Sequence, residues 1–110
     1  MKVIKLVNYS FEAKHNYFAN IRDEHRFLSI WSLYEVQNIN DELTFQDCKL
    51  VSYTNHWGKP VEVELPEGNN TWLDLWKAAE QCIVLSKDSH HVFIEGFKQM
   101  DGKLELITGS

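Results

Sequence analysis

The side chains of this 110-residue sequence that have the means to do chemistry are few and scattered. His90 and His91 are adjacent, and neighbours on a strand point to opposite faces, so the pair does not close on one metal ion. A metal site would need His56, Glu95 or another distant ligand. The plainer alternative is a helix-to-strand loop with one histidine exposed and one packed, and no metal ligand is assigned. Glu62 and Glu64 share a strand face about 7 Å apart, a spacing that suits paired acid/base carboxylates. The same alternation also solvates a half-exposed strand and guards a sheet edge. Glu95 stands within Val92-Phe93-Ile94-Glu95-Gly96-Phe97, where burial of an unpaired carboxylate would be costly. It shares strand parity with His91, Phe93 and Phe97. Either a His91–Glu95 pair lines a pocket, or Glu95 is exposed at an edge. With no nucleophile beside it, no catalytic residue is assigned and no cofactor is called for.

Four Trp, four Tyr and six Phe are generous for this length. Trp72 and Trp76 lie at helical i, i+4 spacing and face the sheet, where core packing and a ligand cage are both open to them. Trp57, beside His56 in a Gly-Pro loop, has the position of an anchor for a ligand or a neighbouring subunit. The candidate ligand-binding set is Trp57, Trp31, Trp76, His91 and Glu95. The two cysteines, Cys48 and Cys82, are read as reduced thiols of a cytoplasmic protein. Cys82 falls in the apolar part of a helix, whereas Lys49 beside Cys48 could lower that thiol's pKa. Asn69-Asn70-Thr71 matches a glycosylation sequon that carries no meaning without secretion.

The chain is 44% hydrophobic and 25% charged, with Lys+Arg 11 against Asp+Glu 16 and a formal net charge of −5. Residues 1–110 are expected to form one domain with a real core. The acidic balance, the scattered basic residues and the absence of an RNP-like motif disfavour nucleic acid as a partner. No apolar run spans a bilayer, and the start lacks a signal-peptide pattern. Phosphate-loop, GxSxG, HExxH and EF-hand patterns are absent.

The elements that must position these residues begin with a strand at Val3–Tyr9, an ambiguous stretch at residues 10–16, and a second strand at Tyr17–Ile21. Phe27 to Gln37 reads as a long strand, apolar on both sides. Leu43 to Tyr53 resumes extended structure with a possible bulge near Asp47-Cys48, and Asn55–Pro60 reads as a hairpin loop. Val61–Leu65 alternates cleanly. Thr71 to about Lys87 is a helix with Thr71 as N-cap, burying Trp72, Leu75, Trp76, Ala79, Cys82 and Ile83 and leaving Leu73 and Val84 on its polar arc. His91–Gln99 and Lys103–Thr108 are strands joined by an Asp101-Gly102 turn. The expected fold class is α+β: a curved antiparallel sheet packed on one main amphipathic helix, with a β-hairpin after the helix.

The segment Ser89 to Leu106, with the Trp-bearing helix before it, is similar in style to small orphan proteins of mobile elements, of the integron gene-cassette and phage type. The resemblance covers about a third of the chain and rests on no catalytic motif. It implies an accessory role and a short, acidic, often dimeric domain, and transfers no functional residue.

Three function classes follow. The leading one is a non-enzymatic cytoplasmic binding or interaction protein, homodimeric because the two-sided Phe27–Gln37 strand (Leu33 included), Leu73 and Val84 offer more apolar surface than one core hides. The second is a small-molecule binder or modest enzyme with an aromatic-lined cavity between sheet and helix. The third is an inhibitor presenting Glu62, Glu64 and Glu67 to a basic protein partner.

Overall fold

A computed structural model describes residues 2–33, 36, 38–44, 47–54, 58, 60–87 and 90–109, with side chains from residue 13 onward. The chain opens with a helix, α1 (Lys2–His25), where two strands and an unassigned stretch were expected. Val3-Ile4-Lys5-Leu6-Val7 is rich in β-branched residues, but Ile4, Val7, Phe11, Phe18 and Ile21 recur at three-, four- and seven-residue steps, and that helical period wins. Along its described part, Lys14, Tyr17, Phe18, Ile21 and Arg22 form the sheltered stripe. The helix closes in a Schellman motif. Arg26 takes the left-handed conformation (φ 58°), the Phe27 amide donates to the Arg22 carbonyl and the Arg26 amide to that of Asp23.

Five strands follow the same α+β logic as expected, with different pairing. They are β1 (Ile30–Trp31), β2 (Leu50–Thr54), β3 (Pro60–Glu64), β4 (Phe93–Met100) and β5 (Lys103–Gly109), in the order β1-β4-β5-β2-β3. The sheet is mixed rather than wholly antiparallel: β1 pairs with β4 and β2 with β5 in parallel. The reason is α2 (Trp72–Ser86), which carries the chain back across one face and inserts the β4–β5 hairpin between β1 and the β2–β3 hairpin. Sequential hairpin pairing holds for β2–β3 and β4–β5 alone. The long Phe27–Gln37 strand shrinks to Ile30–Trp31. Leu33, Val36 and Ile39 turn into the core instead, so Leu33, 9% exposed, is no surface residue.

The helix α2 starts as its sequence directs. Thr71 and Asp74 exchange backbone and side-chain hydrogen bonds in a capping box. The next two amides, Trp72 and Leu73, donate to the carbonyls of Asp41 and Ile39, so the turn before β2 completes the cap. Leu75, Trp76, Ala79, Cys82 and Ile83 are buried against Val51, Tyr53, Ile94, Leu104 and Leu106 of the sheet.

What ties the two helices to the sheet is a polar clamp on the segment between α1 and β1. Glu80 of α2 accepts from the amides of Leu28 (2.9 Å) and Ser29 (2.8 Å) and from the Ser29 hydroxyl (2.6 Å). Arg22 of α1 grips the carbonyls of the same two residues, Nε donating to the Ser29 carbonyl and Nη2 to that of Leu28, both at 3.1 Å. The fully buried Ser29 hydroxyl also accepts from Trp76 Nε1 at 2.9 Å. Replacing Glu80 with Ala strands these donors and should cost about 2–3 kcal/mol. Chemical denaturation should show the midpoint fall with an unchanged m-value, and Glu80→Gln, which keeps one acceptor, should lose less. A Glu80→Ala protein as stable as the parent would show that water replaces the clamp.

Candidate functional site

The sequence-selected residues part company in the structure. Trp31 and Trp76 come together, ring centroids 5.3 Å apart, but as the centre of the core: both are essentially unexposed. Phe18 (6.2 Å) and Phe97 (6.1 Å) flank Trp31, and Phe27 lies 4.8 Å from Trp76. Each indole N–H is satisfied internally, Trp31 by the Leu33 carbonyl and Trp76 by Ser29. The aromatic rings therefore fill the space between sheet and helices instead of lining it. Trp57 lies outside the described residues.

His91 and Glu95 do not line a common pocket. His91 is half-buried beside a shallow polar cleft where β2 and β5 diverge, bordered by Tyr53, Thr54, Glu105 and Thr108. The hydroxyls of Tyr53 and Thr108 share a hydrogen bond there at 3.1 Å. Glu95 is exposed and is the extra residue of a β-bulge: Ile94 pairs with Thr108 and Gly96 with Ile107, leaving Glu95 without a counterpart. Its carboxylate lies over Gly109, in the space a β-carbon there would fill. The bulge also breaks the parity that sequence assigned. Phe97 departs from Phe93 and Glu95 and turns inward to Trp31.

The opposite face of the sheet is the feature the sequence signalled least. Helix α2 packs on the face carrying Val51, Ile94, Leu104 and Leu106, so the alternate residues face outward. They form cross-strand rows: Lys98–Glu105–Ser52–Glu62, Met100–Lys103–Leu50–Glu64, Gly96–Ile107 and Ile30–Phe93–Gly109. Phe93 is 38% exposed, Met100 38% and Ile107 46%. Glu62 and Glu64 thus stand outward on the edge strand β3, and Glu62 meets Lys103 at 3.8 Å across β2. Of the helix residues expected at an interface, Val84 is 53% exposed, beside Leu85, whereas Leu73 packs partly against the core.

Neither cysteine is placed to act as a nucleophile. Burial, reinforced by the charge of Asp47 and opposed by a hydrogen bond with Gln99, raises the Cys48 pKa, where Lys49 was expected to lower it. Burial pushes Cys82 up to about 12, and its thiol donates to the Val51 carbonyl at 3.6 Å. Among the described residues no group of three or more His, Cys, Asp or Glu side chains could hold a metal ion, and no helix is long and apolar enough to cross a membrane. No family model, curated protein or solved structure matches this chain.

The thiols give a direct readout. At pH 8 a thiol-reactive dye should leave the folded protein unlabelled on the time scale that labels both cysteines in denaturant. The folded state also keeps the Cys82 proton that the unfolded chain gives up from its ordinary pKa of 9.0 upward. Stability should therefore fall as pH rises between about 9 and 12, by at most about 1.4 kcal/mol per unit from this group. In Cys82→Ala that part of the alkaline slope should vanish. An unchanged slope would remove Cys82 as its source.

Proposed function

We propose that the chain is a non-enzymatic binding protein of accessory type that acts as a homodimer, two copies meeting through the outward face of the sheet. The observation that carries this reading is that face itself. Three large apolar side chains, Phe93, Met100 and Ile107, stand exposed on β4 and β5, Ile107 beside Gly96 and Met100 beyond the Lys98–Glu105 row. Isolated exposed apolar residues are ordinary, but several on one uncovered sheet face are a surface that association hides.

A second copy is the occupant that the charges favour. The face carries both signs, with Lys98 and Lys103 towards β4 and β5 and Glu62 and Glu64 on β3. Isologous contacts need such self-complementarity, whereas a basic partner would be repelled by the lysines and an acidic one by the glutamates. The resemblance of Ser89–Leu106 to mobile-element proteins agrees with an accessory role.

Native mass spectrometry and light scattering at about 100 μM should give a dimer. Ile107→Glu, which puts a charge on the strand-face between Phe93 and Met100, should give a monomer with unchanged circular dichroism. Lys98→Glu should weaken association about tenfold or less, as a rim charge does. A monomeric parent at this concentration, or a dimer that Ile107→Glu leaves intact, would overturn the assignment.

A further inference from the structure

The strand β3 ends the sheet, pairing with β2 on one side and, among the described residues, with no strand on the other. The direction of its backbone groups follows from one hydrogen bond. The Leu65 amide donates to the Lys49 carbonyl at 2.8 Å, towards β2, so the Glu64 carbonyl of the same peptide points away from the sheet. Alternation then turns the N–H and C=O groups of Val61 and Val63 towards β2, and those of Glu62 and Glu64 towards the free edge. Pro60 takes the next edge-facing position, where a residue without an N–H costs the sheet nothing. An incoming strand would therefore find the amides of Glu62 and Glu64 as donors and the carbonyls of Pro60, Glu62 and Glu64 as acceptors.

The side chains along this edge specify a partner. Glu62 and Glu64 are exposed on the outward face, whereas Val61 and Val63 lie half-buried on the face that α2 covers. A second copy does not fit. A two-fold pairing of β3 with itself about residues 62–64 sets carboxylate opposite carboxylate, and like charges directly opposite are destabilising. An extended segment with cations at alternate positions does fit. Its cations stand beside Glu62 and Glu64, about 5 Å away at cross-strand spacing, and its apolar side chains continue the Val61–Val63 row. The lysines of the outward face do not oppose it. Lys103 is drawn to Glu62 at 3.8 Å, and Lys98 lies three strands away, about 14 Å at strand spacing and beyond the screening length. Glu64 forms no ion pair among the described residues. At its end of the strand the edge opens on a hollow of about 680 Å³, bordered by Glu64, Glu67 and Lys49, with room for a long side chain.

We infer that the free edge of β3 is a docking site for an extended basic segment of a partner protein, which adds to the five-stranded sheet as one more strand. Main-chain hydrogen bonds to Pro60, Glu62 and Glu64 hold the segment. Glu62 and Glu64 select cations on its outward side, and Val61 and Val63 select apolar residues on its inner side. The carboxylates that keep two copies from pairing edge to edge are thus the groups that choose the partner. The inference does not rest on the homodimer, because a strand added in the plane of the sheet leaves Phe93, Met100 and Ile107 uncovered.

The probe is the acetylated and amidated heptapeptide KVKVKVK, titrated against the ¹⁵N-labelled full chain by NMR. Two controls accompany it: EVEVEVE reverses the charge, and KVKPKVK keeps the charge but breaks the strand with proline. Binding should saturate with a Kd on the order of 0.1–1 mM, with shifts concentrated at residues 60–65. Hydrogen exchange at the amides of Glu62 and Glu64 should slow about fivefold or more at saturation. Both controls should bind about tenfold more weakly or worse. Glu62→Gln combined with Glu64→Gln, two exposed changes that keep the edge backbone, should weaken the probe about tenfold while circular dichroism holds. Ile107→Glu, aimed at the proposed dimer, should bind the probe as the parent does, so the two readings fail separately. Equal binding by KVKPKVK would reduce the contact to charge alone and overturn strand addition. Undiminished binding by the double glutamine variant, shifts centred on β4 and β5, or no saturation by about 10 mM probe would each overturn the site.

Discussion

The backbone groups of two residues, Leu28 and Ser29, hold the architecture together. Their amides point to Glu80 of α2 and their carbonyls to Arg22 of α1, so a single dipeptide is gripped by a carboxylate on one side and a guanidinium on the other. Each charge meets the end of the peptide dipole that suits it, which is why neither needs a partner of opposite sign. Without the clamp, the polar groups of a segment that includes the fully buried Ser29 would lose their partners, and the two-residue β1 has too few ladder bonds to hold itself. Trp76 completes the arrangement by donating to Ser29, which fixes one indole of the aromatic cluster and hence the packing of Trp31 and Phe27 around it.

The bulge at Glu95 is the second constraint, and it settles which residues of β4 each face of the sheet carries. A strand with strict alternation cannot bury both Ile94 and Phe97, which are three residues apart. One unpaired residue resolves the conflict: Ile94 closes the core beside β5, and Phe97 reaches Trp31. The residue extruded to do so is a glutamate, whose carboxylate needs water. It is accommodated over Gly109, where the partner strand has no side chain. The cost of filling the core is thus an outward face whose apolar residues, Phe93 and Ile107, are flanked by glycines and left uncovered.

Much of the fold was legible in the sequence, and the failures have physical causes. The Thr71–Asp74 capping box, the burial of Leu75, Trp76, Ala79, Cys82 and Ile83, and the Asp101-Gly102 turn (Gly102 at φ 78°) are local interactions within four residues, and periodicity and turn chemistry report these faithfully. The N-terminal helix was missed because Val3–Tyr9 and Tyr17–Ile21 have strand composition over short windows, and only a span of twenty residues reveals the period of 3.6. Strand order was out of reach, since nothing in a single sequence says where a crossover helix will reinsert its hairpin. The site residues fared as their class dictates. Tryptophans mark the core because their area dominates burial, and Trp31 and Trp76 went there. Glu95 was singled out as a carboxylate in an apolar strand, but parity could not report the bulge that exposes it. Glu80 and Arg22 gave no signal, because a half-exposed acid on a helix and a base near a helix end are what solvation alone produces.

These constraints direct the proposed function to the periphery. Trp31 and Trp76 are buried with their N–H groups satisfied internally, which spends the polar groups of the indoles inside the core, and a pocket needs a few convergent polar groups to orient a ligand. Unspent recognition chemistry remains where packing is incomplete, on the sheet face that no helix covers. On the sheet face, mixed charge around apolar side chains suits a broad partner whose own face repeats the pattern. Such a partner does not require the core to move, so its binding should stabilise the native state by mass action without a change of fold.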